Sequence, residues 1–310
     1  MSFVLLVVGI VLLYIGGEGL VRGATAIGRH LGISSIVIGL TVVSIGTSSP
    51  ELAATLAGVF QGAPAVSFGN VVGSNIANLG LVLGLTALIW PLDIAARFIS
   101  REVPIMLVVS AATFVIVIDG VVGRLEGLIF LFVLIGYLRS LITGDEKPEV
   151  EAEFDRAYGE ERQSIWWSVL AVVVGIALLV VGAQILIKGA IGLARSMGIT
   201  ERVIGLTMVA FGTSLPELAS CVVAAMRREG DLVLGNLIGS NIFNILFILG
   251  TTSVIRPIPV ETSAVWPDLI VMMMVSLLAW LLLRTGRRLA RKEGLLLITT
   301  YLAYLIYLFV

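Results

Sequence analysis

Charge is scarce in this 310-residue sequence, and so are the side chains that most often carry enzymatic chemistry. Asp, Glu, Lys and Arg make up only 13% of it, about half of what a soluble domain carries, while 58% is hydrophobic. So little polar material cannot cover a water-facing surface, which points to an integral membrane protein. Lys+Arg 20 against Asp+Glu 21 gives a net charge of -1 with no basic domain, which argues against a nucleic-acid partner. The lone cysteine, Cys221, allows neither an internal disulfide nor a thiolate metal site. The lone histidine, His30, leaves a membrane-embedded metalloprotease without zinc ligands and a hydrolase without a nucleophile–base pair. The sequence thus reads as a non-enzyme with no cofactor and no obligate protein partner.

What it has in quantity is long apolar runs. They place spans near 3–26, 31–59, 64–90, 101–118, 122–142, 165–189, 198–226, 231–255, 264–283 and 294–309. These are continuous runs of helical length, unlike the alternating segments of a β-barrel. The first begins without a charged leader and is too long for a signal peptide, so it reads as a span. Trp90, Trp166, Trp167 and Trp266 fall near span ends, as an interfacial belt requires. With the N-terminus outside, Arg22, Arg29, Arg97, Arg101, Arg139, Lys147, Arg156, Arg162 and the basic runs at 227–228 and 284–292 fall on the inner side of the membrane. Only Arg124, Lys188, Arg195, Arg202 and Arg256 fall on the other. The bias predicts a multi-pass protein of the cell membrane with both termini outside.

The sequence also contains itself twice. A shift of 166 positions lays GLTVVSIGTSSPELA (39–53) on GLTMVAFGTSLPELA (205–219) and GNVVGSNIAN (69–78) on GNLIGSNIFN (235–244), with no gap between the two motifs. The match reaches back to Gly16 over Gly182 and Arg22 over Lys188. Each unit holds five spans, an odd number, so the second must enter the membrane from the opposite side. The expected fold is all-α: ten transmembrane helices in two inverted five-helix repeats, with broken helices at the midplane. The first repeat covers 1–143 and the second 165–310, with the duplicated motifs near 39–84 and 205–250. An acid-rich stretch at 144–164, bearing Asp145, Glu146, Glu149 and Glu160 among others, reads as a solvated cytoplasmic linker.

Glu51 and Glu217 lie inside apolar spans with no Lys or Arg nearby in sequence, and a carboxylate there is costly unless it has a function. Pro50 lacks the N–H that Gly46 would bond, and Pro216 repeats this with Gly212, so both helices should kink or break. Freed carbonyls and the hydroxyls of Thr47, Ser48, Thr213 and Ser214 would then join the carboxylates as hard oxygen ligands, of the kind calcium and sodium accept. In the second motif Ser74 and Asn78 share a helix face, as do Ser240 and Asn244, with Asn75 and Asn241 beside them. Their oxygens could bind cations or join helix to helix. Elsewhere, Glu18 and Arg22 read as a local pair, His30 as a loop residue, and Cys221 and Met272–Met274 as packing.

The paired Gly-Thr-Ser-x-Pro-Glu and Gly-Ser-Asn-x-x-Asn motifs resemble the two α-repeats of the cation/Ca2+ exchanger superfamily, closest to its prokaryotic Na+/Ca2+ exchangers. The resemblance spans essentially the whole chain and implies an antiporter with alternating access. It implies that Glu51 and Glu217 are the Ca2+ carboxylates and that Thr47 and Thr213 give backbone oxygens. Ser44, Ser48, Ser74, Ala210, Ser214 and Ser240 would form sodium sites, the alanine through its carbonyl, with Asn78 and Asn244 completing the centre. Archaeal exchangers of this type carry Asp at the place of Asn244, whereas animal Na+/Ca2+ exchangers carry Asn. With two carboxylates, one Ca2+, two Na+ or two protons neutralise the site, and a third Na+ leaves it positive. An H+/Ca2+ antiporter using the same glutamates, and an ion channel, are the other transport readings.

Overall fold

A computed structural model describes residues 2–143, 164–197 and 212–309. The described residues are almost entirely helical. In order it forms α1 (Ser2–Leu31), the bent pair α2 (Ser35–Thr47) and α3 (Ser49–Phe60), α4 (Pro64–Ile89), α5 (Phe98–Ile116) and α6 (Arg124–Thr143). Then follow α7 (Ile165–Ser196), α8 (Leu215–Met226), α9 (Gly230–Ile255), α10 (Thr262–Arg284) and α11 (Arg291–Phe309). Among the described residues six helices are long and apolar enough to cross a membrane, seven if the bent pair counts as one span. The linker expected at 144–164 lies, apart from Ser164, outside the described residues, as does the first half of the span expected at 198–226.

Large apolar side chains point outward all along these helices. Phe132 on α6 and Trp166 on α7 are each 79% exposed, which water would not tolerate in bulk and lipid does. By contrast α9 is buried almost all round and forms the centre of the molecule. Helix ends follow local rules. α1 runs past the expected end at 26 until Gly32 closes it with a φ of 63°, which puts His30 in its last turn instead of a loop.

The two halves are laced into each other. A Cβ added at Gly16 would meet backbone of Gly175 and Leu179 at 2.8 Å, and one at Gly182 would meet the backbone nitrogen of Leu13 at 2.9 Å. Gly9 and Gly23 on α1, and Gly175 and Gly189 on α7, make equally close approaches, so both helices carry a glycine every seventh residue along one seam. Gly84 of α4 meets Gly294 of α11, and Gly127 of α6 meets Gly250 of α9, in the same way. Two short antiparallel pairs complete the lacing: β1 (Leu92–Asp93) with β4 (Arg288–Leu289), and β2 (Val121–Val122) with β3 (Ile258–Pro259). Each of these contacts joins one half of the sequence to the other. Glu18 extends the pattern: besides Arg22 at 2.6 Å it accepts two hydrogen bonds from Arg227, just beyond α8, so the pair expected to be local also ties α1 to the second half.

Replacing Gly16 or Gly182 with leucine should cost about 1–3 kcal/mol by forcing α1 and α7 apart. Thermal unfolding in detergent checks this, with Gly136→Leu on the exposed face of α6 expected to leave the midpoint unchanged.

Candidate cation site

The site forms where α2 and α3, α4, α8 and α9 meet. Pro50 stands in the first turn of α3 and Pro216 in the first turn of α8. Ser48 between α2 and α3 adopts φ −82° and ψ 4°, and the two arms diverge by 43°. Ser214 ahead of α8 takes nearly the same angles, −85° and 3°. The breaks expected at Gly46–Pro50 and Gly212–Pro216 are therefore local consequences of proline, and they leave Glu51 and Glu217 in the first turn of a half-helix. That is the positive end of a helix dipole, where a carboxylate is least costly. The arm ending at Thr47 presents its last carbonyls to the same region, and these favour a cation.

Glu51 and Glu217 are 1% and 0% exposed, and they lie close enough for their charges to repel. Two other acids within the helices have partners. Glu102 accepts from Arg97 and Tyr137, each at 3.0 Å, and Asp268 accepts from Tyr304 at 3.0 Å. The site acids have none: both oxygens of Glu51 and of Glu217, Oγ of Ser48 and Ser214, and Oδ1 of Asn78 and Asn244 are buried without a well-formed hydrogen bond among the described residues. Thr47 and Ser48 do face Glu217, at looser geometry. These eight oxygens come from three residue pairs, each 166 positions apart. Calcium takes about 6–8 oxygens. No group of three or more His, Cys, Asp or Glu gathers among the described residues, so the fixed charge here is that of two carboxylates.

Asparagines brace this cage. Asn75 Nδ2 donates to the Asn241 carbonyl and Asn241 Nδ2 to the Asn75 carbonyl, both at 3.2 Å. Asn78 Nδ2 donates to Asn241 Oδ1 at 3.1 Å, and Asn244 Nδ2 to Asn75 Oδ1 at 2.9 Å. Exchanging the repeats maps this network onto itself, as a two-fold axis through its centre requires. With their nitrogens so engaged, Asn78 and Asn244 turn their unpaired carbonyl oxygens elsewhere. Both asparagines begin π-helical turns, Asn78–Val82 and Asn244–Leu249, a local widening that often accompanies functional sites.

Asn70 and Asn236 complete the bracing, and neither stood out in the sequence. Asn70 Nδ2 donates to the Glu51 carbonyl at 3.2 Å and to Thr55 Oγ1 at 3.0 Å. Asn236 Nδ2 donates to Ser220 Oγ at 3.1 Å and Cys221 Sγ at 3.4 Å, so Cys221 stands in the place of Thr55. Asn236 Oδ1 accepts from Thr47 Oγ1 at 3.0 Å and Ser240 Oγ at 3.4 Å. Their duplication within the repeat was the signal that could have found them. Ser44 donates to the carbonyls of Gly39 and Asn236 at 2.7 and 3.0 Å, fastening α2 to α9. Ser74 is buried one turn before Asn78. Thr213 is half-buried at the head of α8, and Ala210 lies outside the described residues. The two ends of the site differ: Thr47 and Asn236 are buried, while their counterparts Thr213 and Asn70 are half-buried.

Comparison with known proteins identifies the family. The family described as sodium/calcium exchanger protein matches residues 1–143 and 167–310. A putative antiporter, CaxA, of Alkalimonas amylolytica is 37% identical over 99% of this chain and 98% of its own length. The sodium/calcium exchanger MaX1 of Methanosarcina acetivorans is 35% identical over 99% and 98%. Among solved structures, the sodium-calcium exchanger NCX_Mj, soaked with zero Na+ and Ca2+, superposes with a TM-score of 0.84 at 34% identity, covering 99% of this chain and 98% of that one.

If the asparagine network closes the two-fold contact, Asn241→Leu should destabilise by about 1–3 kcal/mol, because the Asn78 amide loses its acceptor and the Asn75 carbonyl its donor. The double variant Asn78→Leu/Asn241→Leu should cost less than the sum of the single changes, because one bond joins the two side chains. Thermal unfolding of all three measures the coupling, and strict additivity would contradict a shared network.

Proposed function

Because the chain belongs to the sodium/calcium exchanger family, we propose that it is a secondary active antiporter exchanging Na+ for Ca2+ across the cell membrane by alternating access. The observation that carries this reading is the set of buried, unpartnered oxygens drawn equally from the two repeats. Glu51 and Glu217 are the Ca2+ carboxylates, with Thr47 and Thr213 lending backbone oxygens. Ser44, Ser48, Ser74, Ala210, Ser214 and Ser240 supply sodium sites around them, and Asn78 and Asn244 close the centre.

Charge gives the coupling rule. Two carboxylates facing each other at low dielectric are costly until about two positive charges arrive, whether as one Ca2+ or two Na+. A neutralised site can be enclosed and carried across, whereas an empty one cannot, so the ions must exchange. The unequal burial of Thr47 and Thr213, and of Asn236 and Asn70, supports a state in which the entrance on one side is closed and the other less so. Exchanging the roles of the two repeats gives the opposite state.

The architecture we infer is ten membrane spans in two inverted repeats of five, with both termini outside. The reciprocal asparagine bonds and the matched glycine seams support the two-fold relation, and five spans per repeat make it an inversion. A second reading, H+/Ca2+ antiport, draws on the same charge count, since two protons neutralise two glutamates as well as two Na+ do.

Radiocalcium uptake into proteoliposomes tests these readings. Uptake should require internal Na+, fail with K+ at matched pH, and drop at least about 100-fold in Glu51→Gln and Glu217→Gln, each of which removes half of the site's negative charge. Dependence on a proton gradient alone would transfer the protein to the proton-coupled reading, and normal transport in either variant would refute the site. Asn244→Asp adds a third carboxylate and should change the charge moved per cycle, read as the dependence of uptake on an imposed membrane potential.

A further inference from the structure

One cluster of side chains has no place in ion exchange. An open cleft of about 820 Å3 lies where the end of α4, the turn between α8 and α9, the β1–β4 pair and the loop before α11 converge. Arg228, Arg287, Arg288 and Arg291 line it, against the two acids Asp93 and Asp231. Arg288 approaches Asp93 at 3.7 Å across the strand pair, both side chains being exposed. Arg228 lies over the ring of Trp90 with 5.3 Å to its centroid, and Arg291 reaches the Ile89 carbonyl at 3.5 Å. The cleft therefore keeps a net positive charge and several guanidinium N–H groups able to donate to an anion.

Two of these arginines hold unusual backbone. Arg228 and Arg287 have φ of 63° and 52°, and among the described residues they are the only non-glycine positions with positive φ. That conformation disfavours any side chain with a Cβ, and glycine would adopt it freely. Arginine at both places instead puts a guanidinium into the lining of the cleft. The helices that lead to the cleft are apolar and outward-facing there: Leu88 and Ile89 end α4 just before Trp90, and Leu295 and Leu296 begin the exposed face of α11. Gly84 and Gly294 hold those two helices together just beneath. A free phosphate satisfies only the arginines. An ion with an acyl tail satisfies both surfaces, and the tryptophan marks the depth at which headgroups lie.

We propose that this cleft is a lipid site that holds the phosphate headgroup of an anionic phospholipid, with its acyl chains along α4 and α11. Its leaflet follows from the proposed orientation, which puts the basic runs inside; its existence does not depend on which ions the protein exchanges.

Native mass spectrometry of the detergent-purified full chain, equilibrated with phosphatidylglycerol or phosphatidylcholine, tests the assignment. The wild type should retain phosphatidylglycerol preferentially, and Arg287→Gln, Arg288→Gln and Arg291→Gln should each weaken retention about fivefold. Arg284→Gln should not, since Arg284 stacks on Trp280 outside the cleft. Arg228→Gly separates ligand loss from misfolding: it should lose the lipid while the unfolding temperature in lipid-free detergent holds or rises. Equal retention of the two lipids by the wild type, or unchanged retention in the arginine variants, overturns the proposal. Displacement of phosphatidylglycerol by equimolar inorganic phosphate would overturn the lipid assignment in favour of a phosphate site.

Discussion

Two carboxylates, fully buried and near enough to repel, are the constraint to which the rest of this structure answers. Left charged in a low-dielectric interior they are costly, and the protein reduces that cost without supplying a counter-charge. Each glutamate sits in the first turn of a half-helix, where the dipole favours an anion, and each half-helix exists because a proline follows a glycine–threonine–serine break. Among the described residues Arg97 pairs with Glu102, whereas the oxygens of Glu51 and Glu217 have no such partner. In the proposed exchange the transported ions supply the missing charge.

Such a site needs a frame that holds neutral oxygens at fixed positions, and the frame is made by interlocking the repeats. Apolar helices gain little from association within lipid, so close packing and interhelical hydrogen bonds must hold them together. Glycines at seven-residue intervals let α1 and α7 approach to backbone contact, and single glycine pairs do the same for α4 with α11 and α6 with α9. At the centre the asparagines commit their amide nitrogens to one another across the two-fold contact. One atom of each side chain builds the frame and another is left to serve the site.

The membrane boundary uses a different chemistry. Trp90, Trp166 and Trp266 stand exposed near helix ends, and arginines collect on one face beside the short strand pair. Charge that would be ruinous at the midplane is useful there, because headgroups and water both solvate it.

By itself the sequence determined a great deal: a membrane protein from its poverty of charge, the helical segments from apolar run lengths, the duplication from a gapless shift, and Glu51 and Glu217 as its unusual intramembrane acids. These follow from properties of single segments, and a proline breaks its helix wherever that helix is placed. Partnership was decided by tertiary structure. Glu18 read as the local partner of Arg22 and proved also to bind Arg227. Asn70 and Asn236 had no role assigned from the sequence and proved to brace the two glutamate helices. Ser44 and Thr47 bond to a helix almost two hundred residues away. No pattern within a segment specifies such contacts, because they depend on how two helices are set against each other, and that is fixed by close packing summed over the whole molecule.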